Sequence, residues 1–248
     1  MSDSEHVTVE LDATVEVDDP TAEGLLDRGE IEVLGRMPWS SNGTYLVTVS
    51  DGDARAQAIY KPEAHERPLW DFPAGLWRRE VATYRTATAL GWPVVPPTVA
   101  RSGPFGPGSV QFFVPSHFEE HYFTIRADAK HRTDLHRLCV LDVIVNNTDR
   151  KGGHVLLSHT GSVWGIDHGL SFHEEFKLRT VMWDDAGEPI DAPLLDDVDR
   201  NIDAAIDAIG ELLTPVEIEA AHRRALAVRT TGLFPRDPTG QRYPWPLV

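Results

Sequence analysis

The stretch LDVIVNNTDRKGGHVLLSHTGSVWGIDHGLSF, residues Leu141 to Phe172, concentrates the side chains best able to do chemistry. Read as a hairpin with His159, Thr160 and Gly161 in its loop, it pairs Ser158 with Ser162, sets His154 opposite Ile166 and sets Gly153 opposite Asp167. That register brings Asp149, His154 and Asp167 to one open end. Two carboxylates and an imidazole there, beside a loop opening with Asn146 and Asn147, suit a hard divalent cation with a nearby base. The letters NNTDRKGG also fit a plain polar surface turn, because Asn, Asp and Gly are the usual turn formers. Spacing alone leaves both readings open, and it leaves Arg150 free to bind phosphate or to pair with Asp142.

The elements upstream must position these groups. EIEVLGRM, GTYLVTVS and ARAQAIYK read as three antiparallel strands split by SSNG and DGDA turns. The third ends on Lys61. DFPAGLWRREVATYRTATALGW reads as one helix with Asp71 as its cap, Gly91 past its end and Glu80 inside it. GSVQFFVP is a further strand. In the second half Thr133 or Asp134 caps the nearly all-apolar helix LHRLCVLDVIV, which must be buried. Val198, Ile202, Ile206 and Ile209 mark an amphipathic helix, and TPVE, Thr214 to Glu217, is a capping box with Pro at its first position. Val7 to Val17 alternate apolar with polar as an edge strand does, and Pro20 to Gly29 read as a short helix. His159, His168 and His173 read as ordinary surface or satisfied residues.

Taken in order, IYK, the Glu80 helix, LDVIVNNTDRKGGH and IDHGLSF resemble the motifs of the phosphatidylinositol 3- and 4-kinase superfamily, the type II phosphatidylinositol 4-kinases most closely. HipA-type toxin kinases and Fam20-type secretory-pathway kinases share a similar loop, and some uncharacterised actinobacterial proteins look alike over their length. The resemblance covers roughly residues 31–175. It implies an α+β, two-lobed protein-kinase-like fold, with an antiparallel-sheet N-lobe carrying one helix and a mainly helical C-lobe. The lobes are expected over 31–116 and 117–248, after an acidic N-terminal extension over 1–30. It also implies an ATP-dependent phosphotransferase using Mg²⁺ or Mn²⁺. Lys61 would hold the α- and β-phosphates, Glu80 would orient Lys61, and Asp149 would serve the acceptor hydroxyl. Asp167 would bind the metal. SSNGT, with Ser41 and Asn42, would cap the phosphates, and Phe113 to Ser116, with Val114, would form the hinge facing adenine. The chain departs from the pattern at the second metal ligand, where His154 stands in place of Asn. Two other readings therefore stand beside the kinase: a nucleotide-binding pseudokinase, and a nucleotidyl transferase on the same fold.

Composition narrows the partners. A chain of 248 residues that is 41% hydrophobic can bury a substantial core. Net charge is −16, which argues against nucleic acid and against stable association with an anionic membrane. Residues 1–30 and 184–211 each hold ten acids and one base, whereas 31–183 hold sixteen of each, so the middle is electrically balanced. Cys139 cannot form an internal disulfide and reads as a small buried hydrophobe. No run of about 18 apolar residues appears, and MSDSEHVTVE is acidic where a signal peptide starts basic. The expectation is a cytoplasmic protein whose partners are ATP and a protein or soluble polar acceptor.

Overall fold

The computed structural model describes residues 13–38 and 42–248. Alternating apolar residues build a five-stranded antiparallel sheet from β1 (Glu30–Arg36), β2 (Tyr45–Asp51), β3 (Ala54–Pro62), β4 (Thr98–Gly103) and β5 (Gly106–Phe112), in the order β1-β2-β3-β5-β4. The three expected strands are present, and GSVQFFVP contributes β5. β2 and β3 are joined by a tight turn in which Gly52 adopts φ +60, a conformation glycine takes without steric cost.

One face of the sheet carries Val47, Val49, Ala56, Ala58, Tyr60, Val110 and Phe112, all buried against Leu25 and Leu26 of α1 (Ala22–Arg28). Strand alternation puts Ile59 and Lys61 on the opposite face. The short helix after Pro20 is therefore part of the sheet's core. The edge strand expected over Val7 to Val17 is not formed where it can be seen. Residues 7–12 lie outside the described part, and 13–17 follow bends in which Val15 and Val17 plug the same core. Alternation here reflects burial of two valines, with the Thr14 N–H bonded to the Arg55 carbonyl at 2.9 Å.

α2 (Leu76–Ala89) carries Glu80 and buries Trp77, Val81, Ala82, Tyr84 and Ala87 in a second core shared with the C-terminal helices. Asp71 does not cap it. The Glu66 carboxylate reaches the helix start and accepts from the N–H groups of Gly75, Leu76 and Trp77 at 2.9, 2.9 and 2.8 Å. A carboxylate there meets orphan amides and the positive end of the helix dipole together.

The second core is built on α4 (Arg132–Val145), whose positions 138 to 145 are buried without a break, apolar throughout except Asp142. It starts before the expected Thr133 or Asp134 cap, because a 3₁₀ turn over 129–131, closed by the Asp128 carboxylate on the Lys130 N–H, feeds directly into it. α3 (Tyr122–Ile125) precedes it. Behind lie α5 (Ala192–Asp207) and α6 (Pro215–Thr231). The Thr214–Glu217 capping box is made in both directions, and Glu217 also pairs with the buried Arg79 of α2. That pair fixes α2 to the C-terminal half. Burial pushes the Cys139 thiol up, in keeping with its role as packing. Among the described residues no helix is long and apolar enough to cross a membrane.

Candidate active site

The hairpin forms in the expected register. β6 (Val155–Leu157) and β7 (Val163–Gly165) pair Val155 with Gly165 and Leu157 with Val163, and the Ser158 N–H donates to the Ser162 carbonyl at 2.9 Å. The Ile166 N–H donates to the His154 carbonyl at 3.0 Å, so those two face each other as the spacing predicts. Gly153 does not extend the ladder, since residues 152–154 form a 3₁₀ turn.

A cavity of about 450 Å³ is walled by Lys61, Glu80, Asp149, Lys151, His154 and Asp167. Lys61 reaches it from the end of β3 and Glu80 from α2. Lys61 Nζ is bonded to Glu80 Oε1 and to Asp167 Oδ1, the latter at 2.9 Å. The other Glu80 oxygen accepts the His168 N–H at 2.8 Å. One glutamate thus fixes both the strand-borne lysine and the turn that presents Asp167. Burial opposes charge on Lys61, yet Asp167 and Glu80 outweigh it and hold its ammonium above the usual range. Reciprocally, Lys61 holds the Asp167 carboxyl well below the usual carboxylate range. Asp167 sits at φ +60, a left-handed conformation that a non-glycine residue keeps only when its surroundings impose it.

Arg150 pairs with Asp142, settling the choice the sequence left open. Its side chain is fully buried, with Nε 2.8 Å from Asp142 Oδ2 and Nη2 3.0 Å from Oδ1. It also donates to the carbonyls of His154 and Ile166, at 3.0 and 2.8 Å, and to His168 Nε2 at 2.6 Å. A single guanidinium therefore staples α4, the loop and both hairpin strands' outer ends. Asn147 assists: its amide donates to Asp142 Oδ1 and its carbonyl group accepts the Asp149 N–H, each at 3.0 Å. Asn146 takes a different part, ending α4 at φ 56 and bonding the backbone of His173, Glu175 and Lys177. The Asp149 carboxylate is 2.9 Å from Lys151 Nζ.

His154 Nδ1 lies 3.0 Å from the Asp149 carbonyl, which only accepts, so that nitrogen carries the ring's proton. Nε2 then turns its lone pair toward Asp167 Oδ2, 3.5 Å away. Burial lowers the His154 pKa and favours the neutral ring. Two lone-pair donors facing each other fit a cation held by both. Among the described residues no group of three or more His, Cys, Asp or Glu side chains is arranged so that it could hold a metal ion.

The remaining expected residues divide. Asn42 lines the cavity and its Oδ1 accepts the Arg67 N–H at 3.0 Å, while Gly43 packs so closely that a Cβ there would meet His65 at 2.3 Å. Ser41 lies outside the described residues. Val114 is not brought to the Lys61 cavity; it is buried in the sheet's core and lines a separate one with Gln57 and Val17. His168 is no surface residue. It is wholly buried beneath Asp167, and burial and the Arg150 charge lower its pKa well below the ordinary value. His159 is exposed beside His117, and His173 lies edge-on to Phe72.

Sequence reasoning also missed Lys151, Glu66 and the Glu80 bond to the His168 backbone. Only Lys151 left a usable signal, since it follows Asp149 by two residues and so shares its side of the chain.

The buried neutral histidines carry a pH consequence. Folded His154 and His168 bind protons less readily than the unfolded chain, whose histidines titrate near 6.5, so stability falls as pH drops below about 6.5. Each contributes at most about 1.4 kcal/mol per pH unit. Urea unfolding at pH 7.0, 6.0 and 5.5 should show that decline, and His168→Gln should shallow it. A stability that is flat or rising over this range contradicts the assignment.

This arrangement of lysine, helix glutamate, loop aspartate and post-hairpin aspartate defines a kinase-like phosphotransferase. The phosphatidylinositol 3- and 4-kinase family model matches residues 85–212. Protein Rv2133c of Mycobacterium tuberculosis (strain ATCC 25618 / H37Rv) is 38% identical over 261 residues, covering 90% of this chain and 94% of that protein. The chain belongs to this kinase family. Among solved structures, hydra Fam20 with sugar aligns at TM-score 0.54 and 14% identity over 89% of each chain, which shows the fold. The Helicobacter pylori proinflammatory kinase CtkA aligns at TM-score 0.49 and 9% identity, covering 84% of this chain and 94% of that one. The family match begins after Lys61 and Glu80, so those two positions rest on geometry.

Proposed function

We propose that the chain transfers the γ-phosphoryl group of ATP, with a divalent metal, to a hydroxyl of a protein or soluble polar acceptor. The observation that carries this reading is the Glu80 carboxylate holding Lys61 with one oxygen and the Asp167 turn with the other. Such preorganisation is what in-line transfer demands, because positioning and charge neutralisation supply most of the catalysis. Lys61 would contact the nucleotide phosphates, and Asp167 would hold the metal. Asn42, with Ser41, would cap the phosphates. Asp149 aligns the acceptor hydroxyl and takes its proton, and Lys151 beside it offsets charge gathering there.

Metal dependence has its own support. The cavity wall holds four acids (Glu66, Glu80, Asp149, Asp167) and three bases (Lys61, Arg67, Lys151), a formal balance of −1. A triphosphate entering such a site lacks neutralising charge. Asp167 and His154 would hold the metal, which would supply neutralising charge for the phosphates. An imidazole is a softer ligand than the Asn oxygen it replaces, so Mn²⁺ should outperform Mg²⁺, and His154→Asn should move the preference toward Mg²⁺. An unchanged Mn²⁺/Mg²⁺ ratio in that variant removes His154 from the metal site.

The division at residues 31–116 and 117–248, a cytoplasmic location, and the absence of nucleic-acid and stable membrane partners belong to the same reading. His154 in place of Asn favours a second one, a pseudokinase that binds nucleotide without turnover. Incubation with γ- or α-labelled ATP and Mg²⁺ or Mn²⁺ separates the cases. Label transferred from the γ position supports the kinase. Transfer from the α position means nucleotidyl transfer, and binding without transfer means a pseudokinase.

A further inference from the structure

We propose that residues 242–248 are a tethered strap lying in the acceptor channel, and that the channel's proper occupant is a polypeptide segment of similar chemistry. This rests on the reading of Asp149 as the catalytic residue.

The strap is pinned on both sides of the catalytic loop. At one end the Arg242 carbonyl accepts the Thr180 N–H at 3.1 Å and the Trp183 indole N–H at 3.3 Å. Thr180 is itself bridged in parallel to Arg150, the residue after Asp149. At the other end the Leu247 carbonyl accepts the Gly152 N–H at 2.6 Å, three residues after Asp149. The approach at Gly152 is tight. A Cβ on Gly152 would stand 3.1 Å from the Phe123 ring, 3.2 Å from the Leu247 carbonyl oxygen and 3.2 Å from a Val248 methyl. The channel thus presents two main-chain donors, one on the loop at Gly152 and one on the neighbouring segment at Thr180, with the Phe123 ring beside the first. Peptide carbonyls and apolar side chains satisfy those groups, as they do wherever an extended chain is recognised through its backbone.

The strap is also built to leave. Residues 242–248 contain no helix or strand, and Trp245, Leu247 and Val248 remain 87%, 40% and 57% exposed. Its anchors lie at the Arg242 end, where Arg242 stacks on Phe176, Tyr243 meets Trp183 and Pro244 is buried, so the exposed 245–248 end opens locally first. While tethered, it competes at an effective concentration of about the millimolar range, so an acceptor in trans meets an occupied channel.

A fluorescent peptide of sequence RYPWPLV, residues 242–248, titrated by anisotropy into the full chain and into a variant ending at Gln241, tests this. The shortened protein should bind it saturably and at least about tenfold more tightly than the full chain. Equal binding by the two, or binding by neither, overturns the proposal. Should the shortened protein fail to fold, the full-length variant carrying Leu247→Asp and Val248→Asp takes its place with the same expectation.

Transfer from γ-labelled ATP to dephosphorylated casein, measured on the same proteins, should rise about fivefold or more when the strap is removed or displaced. Peptide binding with unchanged casein labelling overturns the acceptor-channel assignment, as does labelling of phosphatidylinositol vesicles in preference to casein. If no protein transfers phosphate to any acceptor, the phosphotransferase reading fails, and the peptide titration decides the strap by itself.

Discussion

Asp149→Asn should lower phosphoryl transfer by about 10³-fold while leaving ATP affinity within about twofold. Among the described residues the carboxylate has no bond to the Lys61–Glu80–Asp167 network and pairs with Lys151, at 2.9 Å. Its backbone is held independently through Asn147, so the amide keeps the loop's shape and removes only the proton acceptor. Initial rates with γ-labelled ATP, paired with calorimetric ATP binding, measure both quantities. Transfer within tenfold of wild type contradicts the catalytic role, and a matching loss of ATP affinity relocates Asp149 to the nucleotide site.

The largest effect on stability is expected at Arg150. Replacing it with Ala strips a fully buried guanidinium from Asp142, itself 1% exposed, and leaves an uncompensated carboxylate in the core. Removing one partner of a buried pair costs about 3–5 kcal/mol. The carbonyls of His154 and Ile166 and the His168 ring lose their donor as well. Arg150→Leu combined with Asp142→Leu should cost less than Arg150→Ala, because the pair then leaves no orphaned charge. Urea unfolding of the three proteins decides it. A single variant within 1 kcal/mol of wild type, on the scale of an ordinary surface substitution, means that Arg150 does not brace the loop.

What could be read from the sequence was what periodicity and local spacing encode. The first three strands, the Glu80 helix, the hairpin register and the Thr214 capping box all follow from residues that neighbour one another in the chain. β4 was not singled out, because TVARSG lacks a clean apolar alternation and owes its place to pairing with β5. The α2 cap escaped because Glu66 lies ten residues before the first helical amide, beyond any capping rule. At the site, order along the chain singled out Lys61, Glu80, Asp149, His154 and Asp167, and these five line one cavity. The burial of His168 and the five-fold bonding of Arg150 depend on tertiary neighbours that no spacing reveals. Val114 failed to reach that cavity because its side chain turns into the sheet's core. Over 13–17, the part of Val7 to Val17 that is described, the period of two places two valines in the sheet's core.

The claim on which the rest depends is that Lys61, Glu80 and Asp167 form a metal–nucleotide site. Its most direct test is thermal shift of wild type and Asp167→Ala with ATP, with metal, and with both. ATP should stabilise wild type only when Mg²⁺ or Mn²⁺ is present, and that stabilisation should be lost in Asp167→Ala, where the triphosphate charge is left uncompensated. Equal stabilisation of the two proteins by ATP and metal would contradict it.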